Sequence, residues 1–300
     1  MKYQSMFCST ADGEQLHIMH ISKAGQQGMP VLMIHGMVED GRIFYHKSGK
    51  GLGSYLAQQG FDVYVADRRG VGASTPKITE ASTHGQTETI VEDIPRLIEF
   101  VLQASGSKKL GLVAHSWGGV NVNAALARRT DLIDKVVASV YFASKRTVRV
   151  RNLERYFKIS LIWNRMSQSL AKRKGYLPAV KYKLGSENET VKTHRQCVEW
   201  VQNKKWVDSD DGFDYGQALK TVKLPPTLYY AAVRDFSMGH RSDVKNFMIE
   251  SGPHESHYCL LSKKAGNKLD YDHINLLTAP ECVDDHFSEV IAWFKKHLNY

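Results

Sequence analysis

The sequence predicts an α/β protein: a mostly parallel sheet with helices on both faces, interrupted by a helical insertion. Three observations predict it. Short apolar runs alternate with helical stretches of roughly 10–18 residues, the pattern of a parallel sheet covered on both sides. One of those runs, Leu110-Gly111-Leu112-Val113-Ala114, passes through His115-Ser116-Trp117-Gly118-Gly119 into helix-forming residues. The alternation then lapses from Ser144 to about Lys220 and resumes beyond it.

Taken in order, residues 14–22 alternate in polarity and predict a half-exposed strand. Pro30–Ile34 is a continuous apolar run, as in a strand buried on both faces, and ends at His35-Gly36-Met37. A helix is predicted over Gly51–Gln59, closed by Gly60. The strand Phe61–Ala66 runs into Asp67-Arg68-Arg69-Gly70-Val71-Gly72-Ala73-Ser74, and helical spacing from Thr87 to Ala104 stops at Ser105-Gly106. After Leu110–Ala114 and a helix at Val120–Arg129 comes a strand at Lys135–Phe142. Beyond the insertion, Pro225–Val233 is a strand ending at Arg234-Asp235. A helix at Asp243–Glu250, a strand at Glu255–Leu261 and a helix at Cys282–Leu298 complete the core. Residues 1–143 and 221–300 thus form the core, and 144–220 a helical, basic cap. Within the cap, Tyr156, Phe157, Ile159, Leu161, Ile162, Trp163 and Met166 are expected to form one apolar cluster, and Val191–Trp206 a further helical piece.

Ser116 stands where a strand turns sharply into a helix with small residues around it, the pattern of a nucleophile elbow. The usual form is G-x-S-x-G, and Ala114 replaces its first glycine. Ala is the mildest departure, because the tight turn leaves no room for larger side chains. The plain alternative is an ordinary helix N-terminus capped by Ser116. The rest of the chain decides between them. Open α/β sheets place their sites at the carboxyl ends of strands, and His35-Gly36-Met37, Ser116 and Asp235 all follow predicted strands. His273 lies in the loop before the last helix. The chain order Ser, acid, His is the order in which the α/β-hydrolase architecture carries its triad.

On these residues the chain resembles α/β-hydrolase-fold proteins over roughly residues 14–142 and 222–298, with an insertion where that family often carries a lid. His35-Gly36 resembles the family's oxyanion-loop motif. Asp67-Arg68-Arg69-Gly70-Val71-Gly72-Ala73-Ser74 resembles its D-x-R-G-x-G-x-S loop, and Ala114–Gly119 matches the elbow apart from Ala114. The lipase- and lysophospholipase-like esterases are the most similar subgroup, on the lid and the Gly60–Val65 stretch.

The resemblance implies a serine hydrolase acting on carboxylic esters through an acyl-enzyme. A Ser hydroxyl is a weak nucleophile at neutral pH, so a base must take its proton. His273 is the expected base and later acid, and Asp235 the carboxylate that holds its tautomer. The backbone N–H groups of Trp117 and Met37 are the expected oxyanion donors. His35, Gly36 and His115 are pocket candidates. Each assignment has a plain competitor. Asp235 would otherwise only start a helix, and Asp208, Asp210, Asp211 and Asp214 lie too early and read as a turn. Of the thirteen histidines, His254 and His257 fall on or beside a strand and His286 within a helix, which suits packing roles. Asp272 reads as a loop hydrogen-bonder, and Asp67 and Arg68 as loop braces.

Hydrophobic residues make up 42% and charged residues 24% of the chain, an ordinary soluble balance. Cys8, Cys197, Cys259 and Cys282 are scattered, so a disulfide framework or zinc site is not expected. Neither a cofactor motif nor a metal cluster stands out, and none is expected. The N-terminus has no apolar leader and no run is long enough to span a bilayer, which points to the cytoplasm. No feature fixes an oligomeric state.

The net charge of +9 is uneven: Ser144–Lys183 holds twelve Lys/Arg against one acid, Glu154. A solvated helical face is the plain reading. The functional one joins the charge to the aromatic residues, as a lid meeting anionic lipid or acyl chains. Nucleic-acid binding is disfavoured, because no recognisable module accompanies the charge. Two further readings stay open: the same triad used on thioesters or amides, and a non-enzymatic ligand-binding member of the fold.

Overall fold

Five consecutive apolar residues in Pro30–Ile34 carry no polar alternation, so their strand has to be covered on both faces. All five are buried. The structure, a computed structural model, describes residues 1–24 and 28–298. Its strands are β1 (Lys2–Ser9), β2 (Gln15–Ser22), β3 (Pro30–Ile34), β4 (Asp62–Ala66), β5 (Leu110–His115), β6 (Val136–Phe142), β7 (Tyr176–Leu177), β8 (Glu189–Thr190), β9 (Thr227–Ala232) and β10 (Ser256–Leu261). Among the described residues, eight of them form one sheet in the order β1-β2-β4-β3-β5-β6-β9-β10. β1, β2 and β4 pair antiparallel at one edge, and β4, β3, β5, β6, β9 and β10 pair in parallel. The predicted fold class is the one observed.

Register explains why the candidate site residues converge. Ile34 of β3 pairs with Ala66 of β4 and Ala114 of β5. His115 pairs with Phe142 of β6, and Phe142 with Tyr230 of β9. The carboxyl ends of five strands therefore finish near one level, and the loops that follow them meet above it. Successive side chains then divide between the two faces: Leu112, Ala114 and Tyr141 join one buried cluster, and Val113, Val140 and Phe142 the other.

Five expectations need correction. The strand over residues 14–22 is not half-exposed: Leu16, His17, Ile18, Met19 and Ile21 are buried. β1, which the alternation did not reveal, pairs outside it and takes the exposed edge. The last helix does not start at Cys282. Pro280–Asp284 makes a 3₁₀ turn, Asp285 leaves helical geometry, and the helix is Phe287–Leu298. His286 accordingly precedes the helix and is buried, its Nε2 donating to the Leu276 carbonyl at 2.8 Å.

The cap's apolar residues do not form a single cluster. Arg155–Ser167 is a π-helix, and its i→i+5 bonding rotates side chains off the 3.6-residue spacing. Ile159 is buried, whereas Tyr156, Phe157 and Met166 are more than half exposed. Finally, the helix Val191–Gln202 ends before Trp206, and residues 144–220 also hold the short antiparallel pair β7–β8. No helix among the described residues is long and apolar enough to cross a membrane.

Candidate functional site

The elbow is built as its residue types require. Ser116 has φ 48° and ψ −118°, left-handed backbone that non-glycine residues rarely adopt and that stores strain at functional turns. Its N–H donates to the Phe142 carbonyl at 2.8 Å, which holds the turn against β6. The helix Trp117–Arg128 starts at the next residue. Gly118 is required by space: a Cβ there would lie 2.4 Å from the Ile34 carbonyl oxygen and 2.7 Å from that of His35.

Three side chains from separate loops form one hydrogen-bonded chain. His273 Nε2 lies 3.1 Å from Ser116 Oγ, and His273 Nδ1 lies 2.5 Å from Asp235 Oδ2. Asp235 Oδ1 also accepts from the Met238 N–H at 2.9 Å. All three side chains are nearly buried, at 8%, 7% and 4% exposure for Ser116, His273 and Asp235. Burial alone would raise the Asp235 carboxyl, but the His273 ring beside it and the surrounding backbone donors hold it down at about 2. Burial lowers His273 below the ordinary histidine value, with His115 and Lys145 adding to the effect against the attraction of Asp235. At neutral pH the imidazole is therefore unprotonated at Nε2, the form that can accept a proton from a hydroxyl.

The pocket candidates lie differently from expectation. His35 and His115 are fully buried beneath the site, and neither they nor Gly36 lines the cavity above Ser116. The reason is that both rings are consumed by hydrogen bonds. His35 Nε2 accepts from the Arg68 N–H at 3.0 Å. His115 donates from Nδ1 to Glu39 Oε1 at 2.6 Å and from Nε2 to the His273 carbonyl at 2.9 Å. Burial opposes charge on His115, but the Glu39 carboxylate outweighs it and raises the imidazole above its ordinary value. Gly36 packs from behind: an added Cβ would come within 3.0 Å of Ser116 Cβ.

Met37 and Trp117, the expected oxyanion donors, do line the cavity together with Ser116 and His273. Trp117 is the first residue of its helix, where backbone N–H groups have no intrahelical acceptor. The loop after Met37 is held by residues 186–189. Val38 has φ 52°, its N–H donates to Glu189 Oε1 at 2.7 Å, and its carbonyl accepts from Ser186 and Glu187 N–H groups. Glu189 also pairs with the buried Arg68 at 2.5 Å. Asp67 braces its own loop, accepting from the Gly41 and Ala73 N–H groups and from His17. Asp272 accepts from the Ile274 and Asn275 N–H groups.

The cavity has a volume of about 890 Å³. Its walls include Ile159, Ile162, Trp163, Leu184 and Val201 from residues 144–220. Sequence reasoning missed Glu39, Glu189 and Lys145 here. Only Glu39 left a trace, as an acid four residues after His35. Cys8, Cys197 and Cys282 are buried free thiols, and Cys259 is half-buried. Among the described residues, no group of three or more His, Cys, Asp or Glu is placed to hold a metal ion.

Known proteins resemble the chain in part of its sequence and in its fold. Triacylglycerol lipase 1 of Arabidopsis thaliana is 33% identical over 129 residues, covering 40% of this chain and 33% of that protein. Sterol esterase 2 of Saccharomyces cerevisiae is 29% identical over 122 residues, covering 36% and 23%. The match thus spans a third or less of those two proteins. An esterase of Exiguobacterium antarcticum superposes with a TM-score of 0.65 at 16% identity, covering 97% of this chain and 100% of that one. A thermophilic esterase from Thermogutta terrifontis gives 0.64 at 18% identity, covering 98% and 99%. At such identities the structures share the fold. Residues 29–242 match the family model described as alpha/beta hydrolase fold; with that match over most of its length, the chain belongs to the α/β hydrolase fold family.

Proposed function

We propose that this protein is a serine hydrolase of carboxylic esters, with Ser116, His273 and Asp235 as its catalytic triad. The observation that carries the proposal is the Ser116–His273–Asp235 hydrogen-bond chain at the floor of a cavity walled by apolar side chains. The similarity to a triacylglycerol lipase and a sterol esterase supports the ester as the bond cleaved.

Ser116 Oγ attacks the ester carbonyl carbon as its proton passes to His273 Nε2. The carbonyl electron pair moves onto oxygen, where the Met37 and Trp117 N–H groups receive it. Collapse expels the alcohol, which takes the proton from His273 and leaves an acyl-enzyme. A water then repeats the sequence and releases the acid. Asp235 keeps Nδ1 protonated and stabilises the imidazolium in both halves. Residues 144–220 serve as a cap whose apolar wall receives the acyl chain. A fluorophosphonate probe is expected to label native protein at Ser116. S116A is expected to lose that labelling and p-nitrophenyl ester turnover together; undiminished labelling in S116A would overturn the assignment.

A second reading concerns where the enzyme works. Leu153, Tyr156, Phe157 and Met166 project from the basic cap at more than half exposure, an amphipathic surface suited to an anionic lipid interface. Binding to anionic vesicles should weaken steeply with salt. Equal binding to neutral vesicles would sink this reading.

A further inference from the structure

Four Lys or Arg side chains are buried among the described residues: Arg68, Arg69, Lys145 and Arg146. Three of them are neutralised by carboxylates, Arg68 by Glu189, Arg69 by Asp93 and its neighbours, and Arg146 by Glu250. Lys145 is different. It is 8% exposed, yet no carboxylate of the described residues lies within ion-pair distance of its Nζ. Its Nζ stands 5.7 Å from the centroid of the Trp117 ring. Both side chains line the cavity that contains Ser116 and His273.

A buried ammonium without a counter-ion is costly, because desolvation is not repaid by an anion. Burial dominates and lowers Lys145 from the ordinary lysine value, against the pull of Cys197 and of the more distant acids Asp235, Asp243 and Glu39. The other cations at the cavity do not share this position. Arg42 pairs with Asp40, Lys158 with Glu154, and Lys183 is exposed. The cavity thus combines an apolar wall with one buried lysine, near the ring of the residue that follows Ser116.

We propose that Lys145 is a specificity-determining residue that binds an anionic group, carboxylate or phosphate, on the ester substrate. This rests on the serine-hydrolase reading of the same cavity. The anion sits either on the acyl part, as in a half-ester of a dicarboxylic acid, or on the alcohol part, as in an acylated glycerol phosphate. In both, the negative charge pairs with Nζ while the carbonyl meets Ser116.

The experiment compares matched substrates. On the acyl side, the mono-p-nitrophenyl ester of adipic acid is set against p-nitrophenyl hexanoate. On the alcohol side, a 1-acylglycerol 3-phosphate is set against the 1-acylglycerol, with fatty acid release as readout. The native protein should favour one anionic member in kcat/KM, and the arm that shows the preference identifies which end carries the charge. K145M, which keeps the side chain's length without its charge, should reduce that preference about 10- to 100-fold. K145R should keep most of it. Because K145M also removes an uncompensated buried charge, its thermal midpoint should not fall.

A preference absent in both arms, or equally strong in K145M, would overturn the proposal. Failure of the hydrolase reading would look different, with no turnover of any neutral or anionic ester. Binding then tests Lys145 separately: monoethyl adipate should raise the thermal midpoint of S116A but not of S116A/K145M. An equal rise in both would again count against it.

Discussion

Ser116 donates to an imidazole that is itself buried, and burial sets that imidazole's protonation. His273 lies below the ordinary histidine value, so kcat/KM should show an acid limb inflecting below that value and a plateau through neutral pH. His115, which Glu39 holds above the ordinary histidine value, is one of the groups that lower His273. E39Q should let His115 discharge, and the acid limb should then move to higher pH. A pH–rate profile on a neutral ester checks both; an unmoved limb in E39Q would show that His115 does not tune the base. D235N should lower kcat by roughly 10⁴-fold through the wrong His273 tautomer while leaving KM nearly unchanged. At this scale the sequence was informative, since Ser116, Asp235 and His273 each sit at a strand end or the expected loop. It was uninformative about His35 and His115, because adjacency to the motif does not say which way a side chain points.

Among the elements, the strand–turn–helix unit around Ser116 depends on close backbone approach. In G118A the new Cβ would press on the carbonyl oxygens of Ile34 and His35, which cannot move without shifting β3. Overpacking of this kind costs about 1–3 kcal/mol, measurable by denaturant unfolding, and the displaced turn should lower kcat as well. A variant as stable as the native protein would show that the turn has slack. Apolar runs without alternation revealed the central strands because a parallel sheet needs them on both faces. The edge strand Lys2–Ser9 escaped for the opposite reason. Its exposed residues follow no core, and only its pairing with Gln15–Ser22 makes it a strand.

For the whole molecule, Glu189 ties residues 144–220 to the rest of the fold. Its carboxylate pairs with buried Arg68 and accepts from the Val38 N–H, one residue past the proposed oxyanion donor Met37. E189A leaves Arg68 buried without a partner, which typically costs about 3–5 kcal/mol. It also frees Val38 from one restraint on its left-handed backbone, so kcat should fall more than stability alone explains. Stability measured by unfolding and kcat measured at a temperature where the variant is fully folded separate the two. An E189A variant with native stability and native kcat would rule out this coupling.

Local pattern by itself determined the parallel sheet, the elbow at Ser116 and the order of the candidate triad, because hydrophobic periodicity and turn chemistry act over a few residues. It also located the basic segment after Ser144. Tertiary structure alone decided what that segment does to the site. Glu189 reaches Arg68 across 121 positions, and Lys145 is buried without gaining a carboxylate. The physical reason is that burial and ion pairing depend on which distant groups share a space. Neither quantity is written in the spacing of residues along the chain.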